Sequence, residues 1–156
     1  ADAVTVNPYM GEDAISPFLE YENKCAFILC LTSNKGAQDF QLCVVDGKPL
    51  YQLVAEKTLS WNRKGNCGLV VGATYPEQLR KIRGIAKSLP ILIPGIGAQA
   101  GEVESTIKFG TDEKGERAII NSSRGILYAS QEKDFAEEAR NQALKLRDKI
   151  NLYRQM

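Results

Sequence analysis

Seven consecutive apolar residues, Cys25-Ala26-Phe27-Ile28-Leu29-Cys30-Leu31, leave few folds open to this chain. A strand on a half-solvated sheet alternates apolar with polar residues. One that is apolar at every position is buried on both faces, as in a parallel sheet under helices. Shorter apolar runs recur at Ala3-Val4-Thr5-Val6, Gly68-Leu69-Val70-Val71, Ile91-Leu92-Ile93 and Ala118-Ile119-Ile120. Amphipathic segments separate them. Asp13 to Tyr21 reads as a short helix with Ile15, Phe18 and Leu19 inward. Lys48 to Trp61 reads as a helix with Leu50, Val54 and Trp61 on one side. A third helix opens after Gly72, with Thr74 and Glu77 at capping-box spacing and Pro76 in its first turn. Its inner face is Leu79, Ile82, Ile85 and Ala86, and Gly84 weakens its later half. Glu102 to Phe109 is helical. Glu132 to Tyr153 is a long helix with Phe135, Ala139, Ala143, Leu146, Ile150 and Tyr153 along one stripe. Thr32 to Gly47 is a polar loop with room for a lid.

Strand, loop and helix thus alternate five times, the pattern of an α/β protein with a parallel sheet. No strand leads into G-x-G-x-x-G. The spacing of Gly95, Gly97 and Gly101 is off by one, and no acidic residue ends the following strand. A β/α barrel fits better than a dinucleotide fold, and five units are too few to close an eight-stranded barrel. The expected architecture is an incomplete TIM-type (β/α) barrel forming a single domain over residues 1–156.

Composition removes several function classes. The 156 residues carry a net charge of +1, so no global field draws the chain to nucleic acid or an anionic membrane. No apolar run reaches membrane-spanning length, and Ala1-Asp2-Ala3 does not begin a signal peptide. The chain also lacks an initiator Met, which points to processing or truncation. There is no histidine, which removes every Ser-His and Cys-His nucleophile. Cys25, Cys30, Cys43 and Cys67 form no C-x-x-C pair and read as reduced, buried thiols of a cytosolic protein, not as a metal site.

The chemistry concentrates at two strand ends. Ile91-Leu92-Ile93 runs into Pro94-Gly95-Ile96-Gly97-Ala98-Gln99-Ala100-Gly101, and the next strand ends in Asn121-Ser122-Ser123-Arg124-Gly125. Glycines let bare backbone N–H groups approach an oxyanion, and arginine adds a planar fork of donors. Pro94 stiffens the entry to the loop. In a barrel both loops lie at the C-terminal ends of the last strands, where phosphate sites form. Lys24, Lys35 and Lys48 sit in polar stretches that suit solvated amines. Lys145, Arg147, Asp148 and Lys149 form the wet face of the last helix.

Five segments in order resemble orotidine 5′-phosphate decarboxylase of the longer bacterial type. They are Asp2-Ala3-Val4-Thr5-Val6-Asn7-Pro8-Tyr9-Met10-Gly11, Leu31-Thr32-Ser33-Asn34, Gly68-Leu69-Val70-Val71-Gly72-Ala73-Thr74, Pro94-Gly95-Ile96-Gly97-Ala98-Gln99 and Asn121-Ser122-Ser123-Arg124-Gly125-Ile126. The resemblance implies an eight-stranded β/α barrel, active as a homodimer, of which this chain holds the fourth to eighth strands. It implies a cofactor-free and metal-free conversion of orotidine 5′-monophosphate to uridine 5′-monophosphate and carbon dioxide, with neither nucleic acid nor membrane as partner. Arg124, Gly95, Gly97 and Gln99 would hold the 5′-phosphate, Gln99 also reaching the pyrimidine edge. Thr32 and Ser33 would read the ring amide. Asn7, Pro94 and Ser123 are candidate pocket lining.

The family's catalytic Asp-x-Lys-x-x-Asp motif follows its third strand and is missing from these residues. Asp2 precedes a strand and takes no catalytic role, so none of the catalytic residues is expected here and the chain alone is expected to be inactive. Two other readings stay open: a non-catalytic phosphate- or nucleotide-binding half-barrel, and a structural fragment with no formed site. A different sugar-phosphate barrel enzyme would leave Leu31 to Asn34 without a task.

Overall fold

A computed structural model describes residues 1–96 and 100–154. Five strands form one parallel sheet: β1 (Ala3–Val6), β2 (Cys25–Leu31), β3 (Cys67–Val71), β4 (Ile91–Pro94) and β5 (Ala118–Asn121). Their order in the sheet is their order in the chain, so every crossover steps to the adjacent strand in the same direction. A doubly wound sheet reverses direction at a switch point. This one never does, which makes it an arc of a β/α barrel, as expected.

The register sorts the side chains. Val6, Ile28, Leu69, Val71, Ile91, Ile93, Ala118 and Ile120 face the main core, which the helices cover. Thr5, Phe27, Gly68, Val70, Leu92 and Ile119 alternate with them on the opposite face. The Phe27 ring lies over Gly68, 2.5 Å from where a Cβ would stand, so only glycine fits there. β3 is buried throughout, and β2 is buried except for the half-buried Cys25 and Leu29. The outer strands differ: β1 is mostly exposed, and Ile119 of β5 is 46% exposed. Each has one edge without a partner among the described residues.

Helices α1 (Glu12–Leu19), α2 (Leu50–Trp61), α3 (Pro76–Ala86) and α4 (Ala100–Gly110) follow the first four strands. After β5 come a single turn, α5 (Arg124–Leu127), and the long α6 (Phe135–Tyr153). Several sequence expectations need correction. In α2 Leu50, Val54 and Trp61 share one side as expected, Val54 and Trp61 packing half-buried on the core, but the fully buried residues are Tyr51, Ala55 and Thr58. Alanine lets the helix approach the sheet, and Thr58 bonds its hydroxyl to Val54 O at 2.8 Å. Lys48 and Pro49 belong to a short hairpin with Val44 and Val45, not to the helix. Thr74 forms no capping box, because Pro76 takes the first helical position and makes Tyr75 the N-cap. Phe18 is 42% exposed, in a surface cleft with Val4 of β1 and Cys25 of β2. Phe135 is 61% exposed at the very start of α6, and Ala143 is exposed too; Leu146, Ile150 and Tyr153 pack on the core as expected.

Arg83 ties the N-terminal ends of the last two strands to the helices. Its guanidinium donates to Gly110 O from Nε (2.9 Å) and Nη2 (2.5 Å), to Lys87 O and Leu89 O from Nη1 (2.8 Å each), and to Arg117 O from Nη2 (2.9 Å). Those carbonyls lie at the ends of α3 and α4 and before β4 and β5, where backbone acceptors lack helical partners. Burial pushes the Arg83 pKa down to about 10, against an opposing pull from Asp112, so it is a cation at neutral pH.

Candidate functional site

The C-terminal ends of the five strands bring the candidate residues to one side of the sheet. Asn7 leaves β1 and caps a 3-10 turn (Pro8–Met10), its Oδ1 accepting from Tyr9 N at 3.0 Å. A bulge between Leu29 and Leu31 shifts β2 just before Thr32, a device that re-aims side chains beside sites. Thr32 N donates to Gln41 Oε1 at 2.7 Å, and Thr32 Oγ1 donates to Asn34 Oδ1 at 2.5 Å. Ser33 next door is exposed and packs across the end of β3. Its N, Cα and Cβ lie 3.0, 3.3 and 2.9 Å from where Gly72 would carry a Cβ. The Ser33 hydroxyl points towards Gly95, 3.8 Å from the corresponding position there.

Pro94 pairs in register with Asn121, so the Gly95 turn and the Arg124 segment leave adjacent strand ends side by side. Gly95 has φ +88°, the left-handed region that favours glycine. The Pro94 carbonyl accepts from Ala73 N at 3.2 Å, which fixes the base of the loop. Ser123 is the N-cap of α5, and its carbonyl accepts from Ile126 N and Leu127 N at 3.1 and 2.8 Å. Arg124 is exposed, and its guanidinium forms no ion pair among the described residues. Gly97 and Gln99 lie outside the described residues.

The other charged candidates are accounted for elsewhere. Lys24 pairs with Asp2 at 2.7 Å and Lys48 with Glu56 at 2.6 Å, all at least 38% exposed. Lys35 is exposed, and Arg147 pairs with Asp148 at 2.7 Å on the outside of α6. All four cysteines are free thiols. Cys30 and Cys67 are buried, but Cys43 is exposed. No group of three metal-ligating side chains forms among the described residues. No helix among them is long and apolar enough to cross a membrane. Sequence reasoning missed Gln41, whose role depends on a contact nine residues back in the chain. Its only signal was a glutamine inside the polar loop.

The family model described as orotidine 5′-phosphate decarboxylase / HUMPS matches residues 1–139. The chain belongs to that family. Orotidine 5′-phosphate decarboxylase of Cupriavidus metallidurans is 57% identical over 155 residues, covering 99% of this chain and 57% of the relative. The enzyme of that name from Dehalococcoides mccartyi is 53% identical over 157 residues. Among solved structures, UMP synthase of Leishmania donovani superposes with a TM-score of 0.86 at 42% identity, over 99% of this chain and 33% of that one. The Methanocaldococcus jannaschii orotidine 5′-monophosphate decarboxylase complexed with inhibitor BMP gives 0.70 at 27% identity, over 97% of this chain and 62% of that one. This decarboxylase-family chain therefore spans somewhat more than half the length of the curated relatives it matches.

Proposed function

We propose that this chain is the phosphate- and pyrimidine-binding part of an orotidine 5′-phosphate decarboxylase. The enzyme would convert orotidine 5′-monophosphate to uridine 5′-monophosphate and carbon dioxide. One observation carries the reading: the pairing of Pro94 with Asn121 sets the Gly95 turn beside the Arg124 segment, with the Ser33 hydroxyl facing the same turn. Arg124 would take the phosphate dianion, with Gly95, Gly97 and Gln99 as the further phosphate contacts. Ser33 would read the ring edge, since Thr32 has its N–H and hydroxyl engaged within the fold. Pro94 and Ser123 would line the pocket, and Asn7 would close its far side.

The residues present would bind and orient. The bond from C6 to the carboxylate breaks, the electron pair stays on C6, and a lysine ammonium then protonates C6. No Asp-x-Lys-x-x-Asp stretch occurs within the 156 residues, so that lysine and its carboxylate partners would come from outside them. Holding the remote phosphate accelerates the chemistry when its binding energy orders the closing loops and excludes water. No cofactor or metal has a part in this scheme.

In this reading the whole enzyme would be a cytoplasmic homodimer. Tyr9 and Phe40 are exposed at the mouth of the sheet with ring centroids 6.3 Å apart, and Met10, Val44 and Val45 are exposed in the same two loops. An apolar cluster of this kind suits burial against a second copy. The test supplies the chain with the N-terminal segment of the Cupriavidus metallidurans relative, by fusion or co-expression, and follows carbon dioxide from carboxyl-labelled substrate. Release only with the added segment supports the reading. Release by the chain alone, or from neither preparation, counts against it.

A further inference from the structure

Thr32 is gripped by one side chain. Its N–H donates to Gln41 Oε1 at 2.7 Å, and Gln41 Nε2 donates back to Thr32 Oγ1 at 2.8 Å. A carboxamide carries one acceptor and one donor group, and here each meets its complement on a single residue. Gln41 is itself held on both sides. Its N–H donates to Ala37 O at 2.9 Å, and its carbonyl accepts from Tyr51 N at 3.0 Å. Tyr51 is 3% exposed and lies in the first turn of α2, whose N–H groups have no partner within the helix. One half-buried glutamine thus joins the end of β2, the 3-10 turn Lys35–Asp39 and the start of α2.

Ser33 is the next residue. Its backbone rests on Gly72 on one side and is tied to the Thr32 clasp on the other. We propose that Gln41 is a positioning residue for pyrimidine recognition: it fixes Thr32, and through that peptide it holds the Ser33 hydroxyl facing the ring site. The inference rests on the function proposed above. Without the clasp the 31–32 peptide and the Thr32 side chain lose their anchor, Ser33 is free to shift with Thr32, and the cost of reordering them falls on ligand binding. The phosphate-holding residues leave β4 and β5 instead, so that cost applies to the ring and not to the phosphate.

The test titrates the protein with uridine 5′-monophosphate and with ribose 5-phosphate, which carries the phosphate without the ring. Gln41→Met keeps the length of the side chain and removes its hydrogen bonds. It is expected to lose affinity for the nucleotide by about tenfold and to bind ribose 5-phosphate as before. Gln41→Glu keeps the acceptor for Thr32 N–H and is expected to recover most of the loss. Equal loss for both ligands, or an unchanged preference for the nucleotide, overturns the inference and leaves Gln41 a loop staple. A wild-type protein that shows no preference for the nucleotide removes the pyrimidine reading itself, and the inference with it. Should Gln41→Met melt early, the Gln41→Glu and wild-type preferences decide alone: a preference that follows the retained acceptor supports the clasp, and one lost despite it does not.

Discussion

Ser33 lies across the end of β3 so closely that its backbone nitrogen is 3.0 Å, and its Cβ 2.9 Å, from the place a Cβ on Gly72 would occupy. Real Cβ atoms essentially never stand 2.9 Å from another atom, and the 3.0 Å approach to the backbone nitrogen is tight as well. Gly72→Ala therefore has to displace Ser33, the residue assigned to the ring. The expected cost is about 1–3 kcal/mol of stability, as for other overpacked sites. Affinity for uridine 5′-monophosphate should fall more than affinity for ribose 5-phosphate. Thermal melts and paired titrations check this, and an alanine protein with unaltered nucleotide affinity counts against the assignment of Ser33.

Arg83 makes a second prediction, far from the site. It is the shared donor to carbonyls of Lys87, Leu89, Gly110 and Arg117. Arg83→Ala leaves these acceptors without their charged donor and should destabilise the fold by about 2–4 kcal/mol. Arg83→Lys should recover little, because an ammonium cannot span four acceptors as a planar fork does. Urea melts of the three proteins test it. With the Arg83 pKa lowered to about 10, its folded and unfolded forms are both charged below that value. Its contribution should therefore be flat with pH from 6 to about 9. Above pH 10 the fold binds this proton less tightly than the unfolded chain, so the linkage alone adds stability as pH rises further.

The thiols give a third. Burial pushes the Cys67 pKa up to about 11 and drives that of Cys30 higher still, while Cys25 is raised more mildly. Cys43 is exposed at the end of the long loop. Alkylation at pH 8 followed by mass spectrometry should label Cys43 first, Cys25 slowly, and Cys30 and Cys67 only after unfolding. Labelling of Cys30 at the rate of Cys43 contradicts the packing of β2.

The central strands β2 and β3 were legible because burial on both faces writes itself as unbroken apolarity, and the more exposed β4 and β5 carry short apolar runs too. Cys25–Leu31 was read to the residue, and β3 to β5 within one residue at either end. Helix faces were harder. In α2 the sheet meets Tyr51, Ala55 and Thr58, and hydropathy does not reveal that a small residue between two hydrogen-bonding ones makes the close contact. The single turn of α5 is too short to show a period. At the site, the strand-end motifs located Ser33, Gly95 and Arg124. The clasp between Thr32 and Gln41 was invisible, since it depends on how a polar loop returns upon itself.

Arg124 tests the account most directly. Calorimetric titration of uridine 5′-monophosphate into the wild-type protein and into Arg124→Ala compares a site with and without its guanidinium. The account predicts saturable binding by the wild type and a loss of about 2–5 kcal/mol in the variant if the ion pair is largely desolvated, with the melting temperature unchanged because the side chain is exposed and unpaired among the described residues. Equal affinity in the two proteins, or no saturable binding by the wild type, would contradict the claim that this strand-end site holds the nucleotide phosphate.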